Sequence, residues 1–325
     1  MKRFILLKIW FRKIFPFFDF ILFFILLFSI PGFLFFARYG GKKLSLSRRL
    51  LKKSGIYPIR NHYYYPLFKD SILKKSLREP RNLPGIDFVE KKQLRFLERL
   101  TYSNELKDMN LDESKFNIVD FDINNITFKS GDAEFLYQII RFLRPKRIIE
   151  IGSGNSTKLA NKALKRNYLE TQQDFKHICI EPYEMPWLES LDVEVIRSLV
   201  EDCDTKIFDS LENNDLLFID SSHIIRPQGD VLKEYLEIIP RLNSGVVIHV
   251  HDIFTPRDYL DEWIREEVFF WNEQYLLECL LSNTERYEIL AALNFLKHTN
   301  YSDLQRVCPY LTVDREPGSI YFKVK

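Results

Sequence analysis

Between residues 147 and 252, five short apolar runs alternate with stretches patterned as helices, and this alternation constrains the fold more than any other feature. The runs are 147–151, 178–181, 193–196, 216–220 and 246–252, with helical patterns at 157–166 and 231–242. Near-continuous apolar runs of this length read as strands buried on both faces. Strands alternating with helices predict a parallel, doubly wound sheet. Two later runs, 287–295 and 319–324, predict antiparallel edge strands and complete a mostly parallel seven-stranded α/β sheet. A further helix opens at Ser130-Gly131-Asp132-Ala133-Glu134, with acids in its first turn.

The first strand runs into Glu150-Ile151-Gly152-Ser153-Gly154-Asn155-Ser156-Thr157 and then into a helix. Gly152 and Gly154 permit a tight turn and close approach of a ligand. The dinucleotide fingerprint needs a third glycine where this chain has Thr157, which argues against NAD or FAD. No Gly-Lys-Ser/Thr follows, so this is not a P-loop. Glu181 ends the second strand, 27 residues after Gly154. A carboxylate there can accept hydrogen bonds from both ribose hydroxyls of an adenosine ligand.

On these residues, the stretch 130–325 resembles the class I S-adenosylmethionine-dependent methyltransferases, whose fold is Rossmann-like. The resemblance implies that Glu150 and the loop Gly152, Ser153, Gly154, Asn155 and Ser156 contact the methionine part of the cofactor. It implies that Glu181 takes the ribose, that the segment with Glu201 borders the adenine, and that Asp220 closes the site. The segments YPIRNHYY, SGDAEFLYQ, IEPYE, FWNEQYLL and residues 218–259 resemble a bacterial group of methyltransferase-like proteins defined by fold and motif.

Three of the six histidines fall between positions 223 and 251. His223 follows Asp220 at the end of the fourth strand. His249, His251 and Asp252 end the fifth. Ligands of open α/β sheets bind beyond the carboxyl ends of the strands, so both clusters address one crevice. On a strand, 249 and 251 share a face and 252 points away unless the strand has already ended. Methyl transfer to oxygen needs alignment and removal of the hydroxyl proton, for which His223 is the candidate base. Asp220 and Asp252 would hold Mg²⁺, and His251 shifts the preference toward another divalent metal. The pattern resembles metal-dependent sugar and small-molecule O-methyltransferases, where an acid after strand four and an acid pair after strand five bind Mg²⁺. A histidine three residues after the first acid is their base. Asp220 and His223 match that spacing, whereas His251 stands where those enzymes have an acid. The plainer alternative is that these side chains cap turns and pack internally. Arg226, His249 and His62 are candidate acceptor contacts.

The N-terminal part has a different character. Twelve of the 28 phenylalanines lie in the first 36 residues, and residues 20–36 carry no charge. A bilayer core of about 30 Å takes roughly 20 apolar residues in a helix. The segment therefore reads as a retained membrane anchor; a helix lying in the interface or buried in a core are the alternatives. Residues 1–69 carry 14 basic residues against one acidic, a charge of +13, and the remaining 256 carry 33 against 44, or −11. Residues 1–53 would thus meet anionic lipid, while the acidic remainder argues against nucleic acid. Basic clusters flank both ends of the apolar run; the expectation is the inner (cytoplasmic) membrane, with the catalytic domain facing the cytoplasm. Four cysteines without paired spacing suit a reducing compartment and exclude a thiolate zinc motif.

The expected organisation is 1–37 basic arm and membrane segment, 38–129 linker and cap, and 130–325 methyltransferase domain. The expected activity is O-methylation of a sugar, glycan or lipid-linked hydroxyl. A non-catalytic adenosine-ligand-binding membrane scaffold, or hydroxylase- or hydrolase-type metal chemistry in the same crevice, are the alternatives.

Overall fold

The structure is a computed structural model that describes residues 2–113 and 117–325, with the backbone alone for residues 2–13 and 41. It divides into two compact units, Met1–Lys74 and Lys75–Lys325.

The first unit contains two helices, α1 (Lys2–Lys43) and α2 (Ser45–Lys53). Within α1, Ile14–Gly40 is 27 residues long and apolar enough to cross a membrane by length and composition. At 1.5 Å per residue it spans about 40 Å. Its phenylalanines are largely exposed, Phe28 at 82%. The basic side chains of Lys2, Arg3, Lys8, Arg12 and Lys13 lie outside the described ones. In α2, Leu46 and Leu50 are exposed one turn apart, beside Arg48, Arg49, Lys52 and Lys53.

The second unit begins with α3 (Glu90–Glu98), α4 (Ser103–Asp108) and α5 (Asp132–Leu143). The sheet and its helices follow: β1 (Arg147–Ile151), α6 (Asn155–Thr171), β2 (Lys176–Ile180), β3 (Glu194–Ile196), β4 (Leu216–Ile219), α7 (Asp230–Lys233), β5 (Val247–His251), α8 (Asp261–Arg265), α9 (Glu273–Leu281), β6 (Tyr287–Ala292), α10 (Leu293–Thr299), α11 (Tyr301–Val307) and β7 (Ser319–Val324). The strand order is β3-β2-β1-β4-β5-β7-β6. All pairs through β5 are parallel, and β7 runs antiparallel to both β5 and β6. This is the mixed seven-stranded sheet of a Rossmann-like α/β fold.

Strand side chains alternate between two apolar layers. Ile148, Leu216, Phe218 and Val247 pack with α5, α6 and α11. Ile149, Ile151, Leu217, Ile219, Ile248 and Val250 pack on the opposite face, with Leu277 of α9 among them. Covering both faces is what permits apolar residues at every strand position. The stretch expected as linker and cap divides between the units. From Lys75 on it supplies core: Phe96, Leu97, Leu106, Phe121 and Phe128 belong to the first layer.

Several boundaries differ from the sequence pattern. Helix α6 runs longer than 157–166, because no Gly or Pro interrupts it before Gln172 turns to φ +56°. The pattern over 231–242 is not one α-helix. It passes from α7 into a π-turn at Glu234–Ile238 and a tight turn holding Pro240. The run 287–295 changes from strand to helix at Leu293.

The order of connections positions the site. From β1 the chain steps outward to β2 and β3, then returns to β4 on the other side of β1. The strand order reverses there, so the loops after β1 and β4 diverge and leave a crevice at the carboxyl ends.

Candidate active site

The loop after β1 forms one wall. Gly152 has φ +77°, and a Cβ built on it would lie 1.9 Å from the Asp220 carbonyl oxygen. Only glycine fits so close to β4 in that conformation. Asp220 N–H in turn donates to the Ile151 carbonyl at 2.8 Å. At Gly154 a built Cβ would meet only the Met185 methyl group, at 3.8 Å, so that side of the loop is open to a ligand. Ser153 N–H donates to Glu181 Oε2 at 3.3 Å. Glu181 Oε1 accepts from Tyr183 and Glu184 N–H at 3.0 and 2.9 Å. The acid expected to take a ribose therefore stands beside the glycine loop, held at both oxygens. Arg197 fixes the following segment by donating to the carbonyls of Glu181, Glu184 and Met185.

The loops after β4 and β5 form the other wall. His223 and Asp252 both have left-handed backbone, φ +60° and +56°. Histidine and aspartate are among the residues that tolerate it, and such conformations concentrate at functional sites. For Asp252 the turn matters directly. Strand β5 ends at His251, so the alternation that would point residue 252 away no longer applies.

His223 is buried. Its Nδ1 lies 2.7 Å from Glu273 Oε2, and its Nε2 lies 3.4 Å from Asp220 Oδ1 and 3.6 Å from Asp252 Oδ2. Glu273 has no exposed surface and also accepts from Tyr235 Oη at 2.9 Å. The His223 carbonyl accepts from the Asn272 and Glu273 N–H groups, which ties the β4 loop to the start of α9. The imidazole tilts against Trp271 with ring centroids 4.3 Å apart. Glu273 is a site residue that the sequence pattern does not single out. It lies 50 positions from His223, and no local pattern joins the two.

His251 places Nδ1 3.1 Å from Asp220 Oδ1 and 3.7 Å from Asp252 Oδ1. Burial alone would lower its pKa, but the charges of Asp252 and Asp220 raise it to about 9. For His223, burial is likewise outweighed, here by hydrogen bonds with Asp220 and Glu273, and its pKa rises well above 6.5. Burial raises Asp252 to about 6. For Asp220 burial is outweighed by the charge of His251 and the bond to His223, so its pKa is lowered. The donor atoms of Asp220, His223 and Asp252 lie within 4.8 Å of one another. Among the described residues these three form the crevice set that could hold a metal ion, and Glu150, His177 and Cys179 form a second, buried one.

A cavity of about 410 Å³ opens on this constellation. Asp220, His251 and Asp252 line it on one side, and Trp263, Phe269 and Trp271 form an aromatic wall. Phe269 and Trp271 stack at 4.8 Å. Larger grooves of about 660 and 690 Å³, against Phe142 and Tyr168, include none of these residues.

Other expected contacts stand elsewhere. His249 has no exposed surface; it stacks on Tyr321 at 4.0 Å and shares a 2.9 Å hydrogen bond with Ser319 Oγ. It is a core residue, and burial lowers its pKa well below 6.5. The acceptor role expected for it is corrected, because β7 covers that point of β5. Arg226 does not line the cavity: it pairs with Glu201 at 3.2 Å and with Asp230 at 3.6 Å. Both Arg226 and Glu201 therefore spend their charge on each other. Glu150, expected to contact the methionine part of the cofactor, is wholly buried, and its Oε2 accepts from Thr157 Oγ1. Ser156 is buried in the first turn of α6. Asn155 reaches back to Asn125 and Thr127 at 3.3 and 3.0 Å. His62 belongs to the first unit, where Tyr64 and Tyr65 pack on its ring.

Residues 149–253, from β1 to just past β5, match the family Methyltransf_24, described as a methyltransferase domain. An uncharacterised protein of Archaeoglobus fulgidus is 28% identical over 165 residues, 47% of this chain and 73% of that protein. A solved structure of cmcI with Mg and S-adenosylmethionine covers 62% of this chain and 74% of its own at 14% identity, with a TM-score of 0.36. The plantazolicin methyltransferase BpumL, solved with S-adenosylhomocysteine, covers 73% and 96% at 15% identity, with a TM-score of 0.34. The domain match coincides with the strands that carry the glycine loop, Glu181 and the Asp220–His223–Asp252 cluster, and this stretch of the chain is a methyltransferase domain.

Proposed function

We propose that this methyltransferase transfers its methyl group to a hydroxyl oxygen of a sugar, glycan or lipid-linked acceptor, with His223 as the general base. The observation that carries this reading is the oriented imidazole. Glu273 occupies Nδ1 at 2.7 Å, which leaves Nε2 toward the crevice beside Asp220 and Asp252. S-adenosylmethionine supplies a methyl group on a sulfonium, so the reaction asks the protein for alignment and proton removal. As the acceptor oxygen bonds to the methyl carbon, the carbon–sulfur bond breaks, the sulfonium becomes a thioether, and the hydroxyl proton passes to His223 Nε2. Glu273 then faces an imidazolium rather than a neutral ring. The aromatic wall of Trp263, Phe269 and Trp271 suits an acceptor with a flat apolar face, as the rings of sugars have.

The long apolar helix supports a membrane-held enzyme, and the basic residues of the stretch 1–53 support contact with anionic lipid. We place the catalytic unit on the cytoplasmic side, where S-adenosylmethionine is made. Calorimetry with S-adenosylhomocysteine, followed by transfer of labelled methyl to membrane and glycolipid extracts, tests the proposal. Binding without transfer to any extract defeats it.

The pH profile follows from His223. The base must be unprotonated, and its pKa lies well above 6.5. Transfer therefore rises with pH through a midpoint above that value. A rate already on its plateau at pH 6.5 counts against His223.

A second reading has its own observation. The donor atoms of Asp220, His223 and Asp252 fit a divalent cation, and an imidazole beside two carboxylates suits Mn²⁺ or Zn²⁺ at least as well as Mg²⁺. A cation there would hold the acceptor oxygen and lower its pKa. His223 Nε2 would then be a ligand and not the base. Chelator treatment separates the two: full activity after exhaustive chelation supports the base, and loss restored by one added metal supports the ligand.

A further inference from the structure

The acid that opens the glycine motif points away from the crevice. Glu150 lies in β1 opposite Cys179 of β2 and has no exposed surface. Thr157 Oγ1 donates to Glu150 Oε2 at 2.5 Å, and the same hydroxyl accepts from Gly154 N–H at 3.1 Å. Glu150 Oε1 lies 3.4 Å from His177 Nε2, and Cys179 Sγ lies 3.8 Å from Oε2. Past Gly154, Ser153 N–H reaches Glu181 Oε2.

We infer that Glu150 is a positioning residue that sets the shape of the cofactor loop from beneath, through Thr157, and thereby holds Glu181 for the ribose. A buried carboxylate without water must keep its protein hydrogen bonds. A hydroxyl can donate to that carboxylate and accept from an N–H at once, and valine, of nearly the same shape, can do neither. Thr157 stands where a dinucleotide-binding loop has its third glycine. Here a side chain ties the loop to the sheet below. The adenosine end of the ligand thus depends on a carboxylate that it does not touch.

This rests on the cofactor assignment, and the experiment separates the two. Binding of S-adenosylhomocysteine and of 5′-methylthioadenosine, which lacks the amino-acid part, is measured by calorimetry on the full chain. A positioning role predicts that Thr157→Val weakens both ligands by the same factor, about tenfold, as one lost buried hydrogen bond implies. Thr157→Ser keeps both within about threefold. Glu150→Gln, which keeps the size of the side chain, leaves the ratio of the two affinities unchanged. If Glu150 instead held the amino-acid part, Glu150→Gln would weaken S-adenosylhomocysteine and spare 5′-methylthioadenosine, and that outcome overturns the inference. Thermal melting of each variant identifies one that fails to fold, in which case Glu150→Gln alone decides. A wild-type chain that binds neither ligand strikes at the cofactor assignment instead.

Discussion

His223→Gln lowers methyl transfer at least about 100-fold while S-adenosylhomocysteine affinity stays within about twofold. The magnitude is the usual contribution of a positioned general base. Glutamine is the informative substitution, because its amide can still donate to Glu273. Alanine would leave that carboxylate buried beside Tyr235 alone, and burial of an uncompensated charge would mix a folding defect into the measurement. The expected signature is a loss in kcat with ligand affinity preserved, as for an interaction made in the transition state. The readout is labelled methyl incorporated at saturating acceptor, beside calorimetry on the same preparation. Unchanged turnover removes His223 as base. Equal loss of turnover and of S-adenosylhomocysteine affinity would recast it as a structural support for the β4 loop.

The second large effect concerns Gly152. Gly152→Ala abolishes S-adenosylhomocysteine binding, by about 100-fold or more. Two costs add. Alanine at φ +77° costs on the order of 1 kcal/mol, and its Cβ would overlap the Asp220 carbonyl at 1.9 Å. That contact is with backbone, so no side chain can rotate to relieve it. The loop must lift from β4, which separates the cofactor wall from Asp220. Gly154→Ala is the control. Its methyl group would meet only Met185 Cε at 3.8 Å, so the fold stays intact and any loss of affinity reports the ligand's own approach. Near wild-type affinity in Gly152→Ala would show that the close approach to β4 is not needed.

Legibility in the sequence follows the distance over which each feature is encoded. The glycine loop and Glu181 were readable because strand, turn, helix and next strand are consecutive, and their spacing is nearly the geometry. The pairing of His249 with His251 on one face followed from the period of two. Their opposite fates did not. His249 is covered by Tyr321 of β7, directly across in the antiparallel register, while His251 lies at the strand end and opens on the cavity. No sequence count reveals where along a strand the cover stops. Asp252 was readable as a candidate ligand, but its inward turn was not, since that depends on the left-handed backbone after β5. Arg226 looked available because its partner Glu201 is 25 positions away.

By itself the sequence determined the layered α/β order, the glycine turn, the acid Glu181 at the end of β2 and the apolar N-terminal helix, because each rests on local periodicity, composition or short spacing. Only the tertiary structure decided which polar side chains share the crevice. Packing α9 against the β4 loop brings Glu273 to His223, and pairing β1 with β2 places Glu150 under the loop rather than in front of it. Those contacts arise from elements far apart in the chain, and the depth of burial that gives each group its chemistry is a property of the packed layers alone.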